Sequence, residues 1–156
     1  WMTGTQSHEA MAGTIAAIEH IAWIGHCVSD GDLSRREALG CAFKVIEEYE
    51  QSLCWRMIDG LEALDGIRIW GITDSERKTE RAPTVSFTHD SMSPKRIADA
   101  LAERGIFVWE GNFYALELTE ALGLEPEGVL RVGVLHYNTM DEVDRFLNEL
   151  AEILSS

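Results

Sequence analysis

Long uninterrupted apolar stretches are missing from this sequence of 156 residues. The longest apolar stretch, from about Met11 to Val28, is interrupted by Glu19, His20 and His26, and no signal peptide or lipidation motif is recognisable. We therefore expect a cytoplasmic protein that has no membrane among its partners.

Basic residues are also scarce. Thirteen lysines and arginines stand against 27 aspartates and glutamates, which gives a net charge of −14. Apart from Arg35 and Arg36, the basic residues are scattered along the chain. Because such a surface repels phosphate backbones, nucleic acid is not an expected partner.

Cysteine is rare, and its pattern excludes two kinds of site. Cys27, Cys41 and Cys54 fall on helical segments at spacings that match neither a zinc site nor a disulfide framework. We interpret them as buried, reduced thiols. The five histidines show no metal-ligand spacing either, so no metal site is predicted.

The residues that are present predict a packed domain, since 46% of them are apolar. Helical spacing predicts a first helix around residues 11–28 and a long second helix from Ser34 to about Asp65 and Gly66. The first helix is apolar over a wide arc, and we expect a large domain that is missing from this sequence to cover it.

After Gly66 the apolar period changes to two. This period predicts strands, a charged loop at residues 75–81, and shorter helices that begin at Ser93-Pro94, at Leu116 and at a Thr139/Glu142 capping box. The predicted strands cover residues 67–72, 84–88, 106–109 and 129–137. This order indicates an α/β (α+β) two-layer sandwich with a small, mostly antiparallel sheet and helices on one side.

One arginine, Arg131, stands among the alternating apolar residues of the last predicted strand, Val129 to Tyr137. A guanidinium there is costly to desolvate unless it meets an anion, and its planar fork suits a carboxylate. The alternative is an edge-strand arginine that pairs with one of the many acidic side chains.

A second motif, Gly4-Thr5-Gln6-Ser7, runs directly into the first helix. Free backbone N–H groups and small hydroxyls at a helix N-terminus attract phosphate. The alternative is an ordinary helix cap by Thr5 or Ser7. A third segment, from Arg104 to Leu116, combines a strand pattern with the loop Asn112-Phe113-Tyr114-Ala115.

These three segments, in this order, resemble the C-terminal part of class V aminotransferases, the pyridoxal-phosphate (PLP) enzymes that include cysteine desulfurases. The resemblance implies the small domain of a fold-type I PLP enzyme that acts on an amino acid as a homodimer. It assigns the substrate carboxylate to Arg131 and the substrate face to the loop at Asn112. It also assigns the cofactor phosphate of the neighbouring subunit to Thr5, with Gly4 and Gln6 beside it.

The loop departs from the cysteine desulfurases. By the resemblance, Tyr114 occupies the position of their nucleophilic cysteine, and Asn112 and Phe113 replace the usual histidines. A tyrosine cannot form a persulfide, so no catalytic residue is assigned, and Tyr114 is a candidate for either a proton donor or a lid residue. The resemblance supports a PLP enzyme of the desulfurase-like branch, a transferase or lyase, and leaves transamination, elimination and desulfuration open as its reaction.

The family forms a Schiff base through a lysine, but Lys44, Lys78 and Lys95 lack the family's setting. We therefore expect a C-terminal fragment that is inactive alone, in which residues 1–33 are a linking segment and helix from the large PLP domain and residues 34–156 form the small domain. The alternative hypothesis is a non-catalytic α/β binding or dimerisation module.

Overall fold

The computed structural model describes residues 4–155. This part of the chain contains five α-helices, four β-strands and one 3₁₀ helix. The elements follow in the order α1 (His8–Cys27), α2 (Arg35–Glu62), β1 (Ile67–Trp70), the 3₁₀ helix (Ser75–Glu80), β2 (Thr84–His89), α3 (Pro94–Glu103), β3 (Trp109–Gly111), α4 (Leu116–Ala121), β4 (Val129–Gly133) and α5 (Met140–Leu154).

The chain divides into two compact units, residues 1–49 and 50–156, and the division falls within α2. In the first unit Gly25 of α1 approaches the backbone of Ala38 of α2 so closely that a Cβ atom at Gly25 would overlap it. The predicted division after residue 33 concerns membership of a larger parent protein, and it stays a prediction.

The four strands of the second unit form one antiparallel sheet in the order β1-β2-β4-β3. Arg131 of β4 lies opposite Ser86 of β2 on one side and opposite Trp109 of β3 on the other. Strand β4 is therefore an inner strand, and Arg131 is not an edge residue.

Alternation along the strands separates a core face from an outer face. Phe87 of β2 and Leu130 of β4 are opposite each other and fully buried, whereas their neighbours Ser86 and Arg131 are not buried. The core also takes apolar side chains from the second half of α2 and from α3 and α5, among them Leu53, Met57, Ile58, Leu61, Ile97, Leu101, Phe146 and Leu150. The predicted two-layer fold with an antiparallel sheet is confirmed.

The helix starts follow the predicted capping chemistry. Thr139 and Glu142 form a capping box at the start of α5, and the Ser93 side chain caps α3 at Pro94. Hydrogen bonds from the Thr139 backbone and from Asn138 lower the pKa of the Glu142 carboxyl. Ser34 makes the corresponding bonds with Glu37 at the start of α2.

Four predicted segments differ from the structure. Strand β1 ends at Trp70 instead of residue 72. The charged segment at 75–81 was predicted as a loop, but Asp74 caps a 3₁₀ helix there. Strand β3 begins at Trp109 instead of residue 106, since the turn at Gly105 directs the Ile106 amide to the carbonyl of Leu101. Strand β4 ends at Gly133 instead of residue 137. Beyond Gly133, the Leu135 amide donates to the side chain of Asn138 in a turn.

The cysteine prediction holds for one residue. Cys54 is buried, and burial raises the pKa of its thiol, whereas Cys41 is partly exposed and Cys27 is exposed. A helix that is apolar over a wide arc does not reveal by periodicity which thiols face solvent, so the prediction was wrong for Cys27. Among the described residues, no helix has the length and apolar character needed to cross a membrane.

We expect Gly128→Ala to destabilise the protein more than Gly123→Ala. Both glycines have left-handed backbone angles, φ +69° and φ +70°, so a side chain costs about 1–2 kcal/mol at either position. A Cβ atom at Gly128 would also overlap the backbone of Gly111 at the end of β3, which adds about 1–3 kcal/mol, whereas Gly123 has open space. Urea unfolding of both variants measures the difference, and equal losses would contradict this close approach.

Candidate functional site around Arg131

Arg131 lies on the outer face of the sheet, within the second compact unit. Leu130 and Val132 on either side of it belong to the core face, so strand alternation directs the Arg131 side chain outward. The side chain is exposed. It extends from a strand that is paired on both sides, and its backbone is therefore held in place.

The guanidinium group of Arg131 has an aromatic contact instead of an acidic partner. Its Cζ atom lies 3.8 Å from the centroid of the Phe113 ring. Within residues 4–155, Arg131 forms no ion pair and no side-chain hydrogen bond. The alternative interpretation, an edge arginine that pairs with an acid, is therefore wrong for the described chain. One face of the guanidinium is covered, and its N–H groups stay free to donate.

Arg131 lines a cleft of about 380 Å³. The remaining walls come from β3 and from the loop that follows it, namely Trp109, Glu110, Gly111, Asn112, Phe113 and Tyr114. A second groove of about 620 Å³ shares Trp109 and Arg131 with this cleft and is also lined by Phe107 and Leu135. Arg131 is the cation of this cleft, and Glu110 is its acidic residue. A guanidinium beside aromatic side chains can hold a carboxylate by two parallel hydrogen bonds and place an apolar group beside it.

The loop after β3 has an unusual backbone. Phe113 and Tyr114 both have positive φ, 54° and 62°, which is uncommon for non-glycine residues and costs about 1–2 kcal/mol each. The Asn112 side-chain oxygen accepts a hydrogen bond from the Tyr114 amide at 3.2 Å. The structure thus brings Arg131, Asn112 and Tyr114 to one cleft. Their assigned roles stay predictions.

The Gly4-Thr5-Gln6 segment lies in the other compact unit, directly before α1. Ser7 rather than Thr5 caps the helix, since its hydroxyl accepts from the Ala10 amide at 3.3 Å. Thr5 is exposed and available to a ligand. Glu9 in the first turn approaches the Ser7 hydroxyl at 3.4 Å, which adds a negative charge near this terminus.

Sequence reasoning missed four residues around this cleft. Phe113 was noted as a departure from the family, but its contact with Arg131 depends on the loop conformation. Trp109 was placed at the end of a strand, and its position opposite Arg131 depends on the register. Glu125 accepts hydrogen bonds from Thr119 and from Asn112 of the loop, and no sequence motif marks Thr119 or Glu125.

Comparison with known proteins gives a consistent result. Residues 38–146 match the family model described as Aminotransferase class-V. The chain is 39% identical over 113 residues to an aminotransferase-like protein of Gibberella zeae. This aligned region covers 70% of this chain and 27% of that protein. The chain is 33% identical over 111 residues to a probable cysteine desulfurase of Mycobacterium leprae, with 71% and 25% covered.

Solved structures agree with this result. The chain is similar to a cysteine desulfurase from Thermococcus onnurineus, with a TM-score of 0.66 and 26% identity over 81% of this chain and 33% of that one. It also shares its fold with a cysteine desulfurase from Escherichia coli, with a TM-score of 0.61 and 24% identity over 80% of this chain and 32% of that one. The chain spans about a quarter of the length of these curated relatives.

The strained loop predicts an unusual pair of stability effects. Tyr114→Gly should raise the free energy of unfolding by about 0.5–1 kcal/mol, because glycine adopts positive φ freely and the fully exposed phenol has no packing to lose. Phe113→Gly relieves similar strain but loses the ring over Arg131, so no gain is expected. Urea unfolding measures both changes. Tyr114→Ala is the control, and an equal gain from alanine would show that backbone strain is not the cause.

Proposed function

Because the chain belongs to the class V aminotransferase family, we propose that it forms the small-domain part of a PLP-dependent, cysteine desulfurase-like enzyme that acts on an amino acid. The observation that carries this proposal is the guanidinium of Arg131, which has no acidic partner among residues 4–155 and opens into an aromatic cleft. The coverage of about a quarter of the relatives' length supports a part of a longer enzyme.

In this proposal Arg131 binds the α-carboxylate of the substrate. Its strand is held on both sides, and the Phe113 ring covers one face of the guanidinium, so the N–H groups in the guanidinium plane are the ones left to the ligand. Asn112 holds the loop on the substrate face, and Tyr114 extends from it into solvent. The phenol has two candidate roles, proton donor or lid.

The residues of this chain account for one part of a PLP site, the phosphate contacts. When bound, PLP supplies an electron sink for breaking a bond at the substrate's α-carbon. The residues that would hold its phosphate are Gly4, Thr5 and Gln6, because Thr5 is exposed before α1 and the first helical N–H groups lie next to it. We propose that they do so for a neighbouring subunit.

The lysines of this chain favour an attachment point elsewhere in the parent enzyme. The Lys95 amine pairs with Asp99 at 3.1 Å on the surface of α3. The Lys78 amine lies 5.1 Å from the Trp55 ring, and Lys44 is exposed on α2. None of them lies in the cleft at Arg131. We therefore propose that the segment alone is inactive and that the lysine comes from the remainder of the enzyme.

The loop argues against sulfur transfer. Tyr114 stands where the resemblance places the nucleophilic cysteine, and a phenol is a poor sulfur acceptor. Among the thiols, Cys54 is buried in the core, and Cys27 and Cys41 lie in the other compact unit. We propose amino-acid chemistry other than desulfuration, carried out by a cytoplasmic enzyme.

We also propose a homodimer. Helix α1 exposes large apolar side chains, with Met11, Ile15, Ile18 and Trp23 among them. An exposed stripe of this kind is expected to be covered in the assembled enzyme. Sedimentation equilibrium of the enzyme tests this, and a monomer mass at micromolar concentration would contradict it.

Arg131→Lys in the full-length enzyme should weaken binding of L-alanine by about tenfold or more, because an ammonium group cannot reproduce the two-point fork. Titration of the amino acid, followed by the absorbance of the bound cofactor, measures the affinity. Arg68→Lys is a matched control, since Arg68 lies on the same face of the sheet and also stacks on an aromatic ring, that of Trp70 at 3.9 Å. Equal affinities in the Arg131 variant and the parent would refute the anchor.

Thr5→Val should act on the cofactor instead of the substrate. Loss of the hydroxyl is expected to weaken PLP retention by roughly tenfold, while affinity for the amino acid in the loaded enzyme stays unchanged. Equilibrium dialysis against PLP measures the retention. Ser7→Ala serves as control because Ser7 caps the same helix. If only the Ser7 variant lost PLP, the phosphate contact would belong to the cap and not to Thr5.

A further inference from the structure

Two polar residues, Thr119 and Glu125, lie next to the strained loop from Asn112 to Ala115 and have no role in the function proposed above. Thr119 of α4 is only 5% exposed, and it is the buried polar residue among those the structure describes. Its hydroxyl donates to the Glu125 carboxylate and also lies 3.0 Å from the carbonyl oxygen of Leu116. A hydroxyl has one proton, and a carboxylate is the stronger acceptor, so Glu125 is its principal partner.

Glu125 connects this buried hydroxyl to the loop. The carboxylate oxygen that accepts from Thr119 also accepts from the Asn112 side-chain amide at 3.3 Å. Asn112 in turn uses its side-chain oxygen for the Tyr114 amide and its backbone carbonyl for the Ala115 amide, at 3.2 Å and 2.9 Å. A continuous series of hydrogen bonds therefore runs from the interior of α4 to the tip of the loop.

The loop needs such support. Phe113 and Tyr114 are held at positive φ, which the backbone of an isolated loop does not favour. Tyr114 is fully exposed and gains nothing from packing. The Phe113 ring contacts the guanidinium of Arg131, but an exposed cation–π contact contributes only about 0.5–1 kcal/mol. Asn112 accepts hydrogen bonds from the Tyr114 and Ala115 amides and so helps to hold this conformation.

We propose that Glu125 is a positioning residue for the Arg131 anchor. Glu125 holds Asn112, Asn112 holds the left-handed turn, and the turn places the Phe113 ring on one face of the guanidinium. The ring removes water from that face and limits the rotamers of Arg131, so the in-plane N–H groups are pre-organised for a carboxylate. The identity of the ligand rests on the proposed function, whereas the placement of the ring does not.

The test on this chain is a nuclear magnetic resonance measurement. The Phe113 ring current should shift the Arg131 Nε–Hε signal upfield, and this signal is assigned by its loss in Arg131→Lys. Glu125→Ala should abolish the upfield shift. Glu125→Gln should retain it, because the amide oxygen can still accept from Asn112 and Thr119. Thr119→Val provides a second disruption that keeps the side-chain shape.

Glu127→Ala is the matched control. Glu127 is an acidic residue two positions after Glu125, in the same connection between α4 and β4. It is exposed and has no hydrogen bond or ion pair to a described residue. The Glu127→Ala variant therefore loses the same charge but keeps the hydrogen bond from Asn112 to Glu125. An upfield shift that survives Glu125→Ala, or that is lost equally in the Glu127 variant, would overturn the proposal. An upfield shift that is lost equally in Glu125→Gln and Glu125→Ala would also overturn the proposal, because the charge of Glu125 and not its hydrogen bond would then be the cause.

A binding measurement on the full-length enzyme separates this proposal from the proposed function. Glu125→Ala should weaken L-alanine binding by about two- to fivefold, the share that an exposed cation–π contact can supply. In a Phe113→Leu background the same substitution should have little further effect, since both changes act through the ring. An additive double mutant would refute the route through Phe113.

The two failures look different. If Arg131→Lys leaves L-alanine affinity unchanged, the proposed function fails, while the magnetic resonance result still decides whether Glu125 places the ring. If Arg131→Lys weakens binding but Glu125→Ala behaves like Glu127→Ala in both measurements, the anchor stands and the positioning role is overturned.

Discussion

The burial of Leu130 opposite Phe87 is the constraint on which the candidate site depends. Both side chains are completely enclosed between the sheet and the helices, so this strand pair cannot shift register without exposing them. Strand alternation then sends the next residue, Arg131, to the outer face. The same register sets Trp109 beside Arg131 and leaves the two residues on a strand that neighbours hold on both sides. The core thus determines where the cation points.

The backbone conformation that places Phe113 on Arg131 in the loop after β3 also lowers the stability of that loop. Two non-glycine residues in left-handed conformations weaken the fold locally, yet they bring an aromatic ring onto the guanidinium. Gly128 contributes from the opposite side, because its missing Cβ allows the segment before β4 to approach Gly111 at the start of the loop. The loop is therefore held at both of its ends.

Residue patterns alone predicted most of the framework. Apolar periods and helix-start signals located the five helices and four strands that residues 4–155 contain, and Thr139 with Glu142 marked the start of α5 correctly because a capping box is a local interaction. Prediction was poorer where distant contacts decide. Strand β3 begins three residues later than its apolar pattern suggests, since Ile106 is drawn back to α3. Exposure of Cys27 likewise depends on what lies beside α1, which periodicity does not report.

For the candidate site, the sequence by itself determined which side chains are present, and the tertiary structure decided how they are arranged. A lone arginine among apolar strand residues, in the order of motifs shared with class V aminotransferases, was visible in the chain because residue type and local period are local properties. The absence of an acidic partner for Arg131 in the described chain, the ring of Phe113 at 3.8 Å and the support from Thr119 through Glu125 were not visible. They join residues from different elements, and only strand register and a left-handed turn bring such residues into contact.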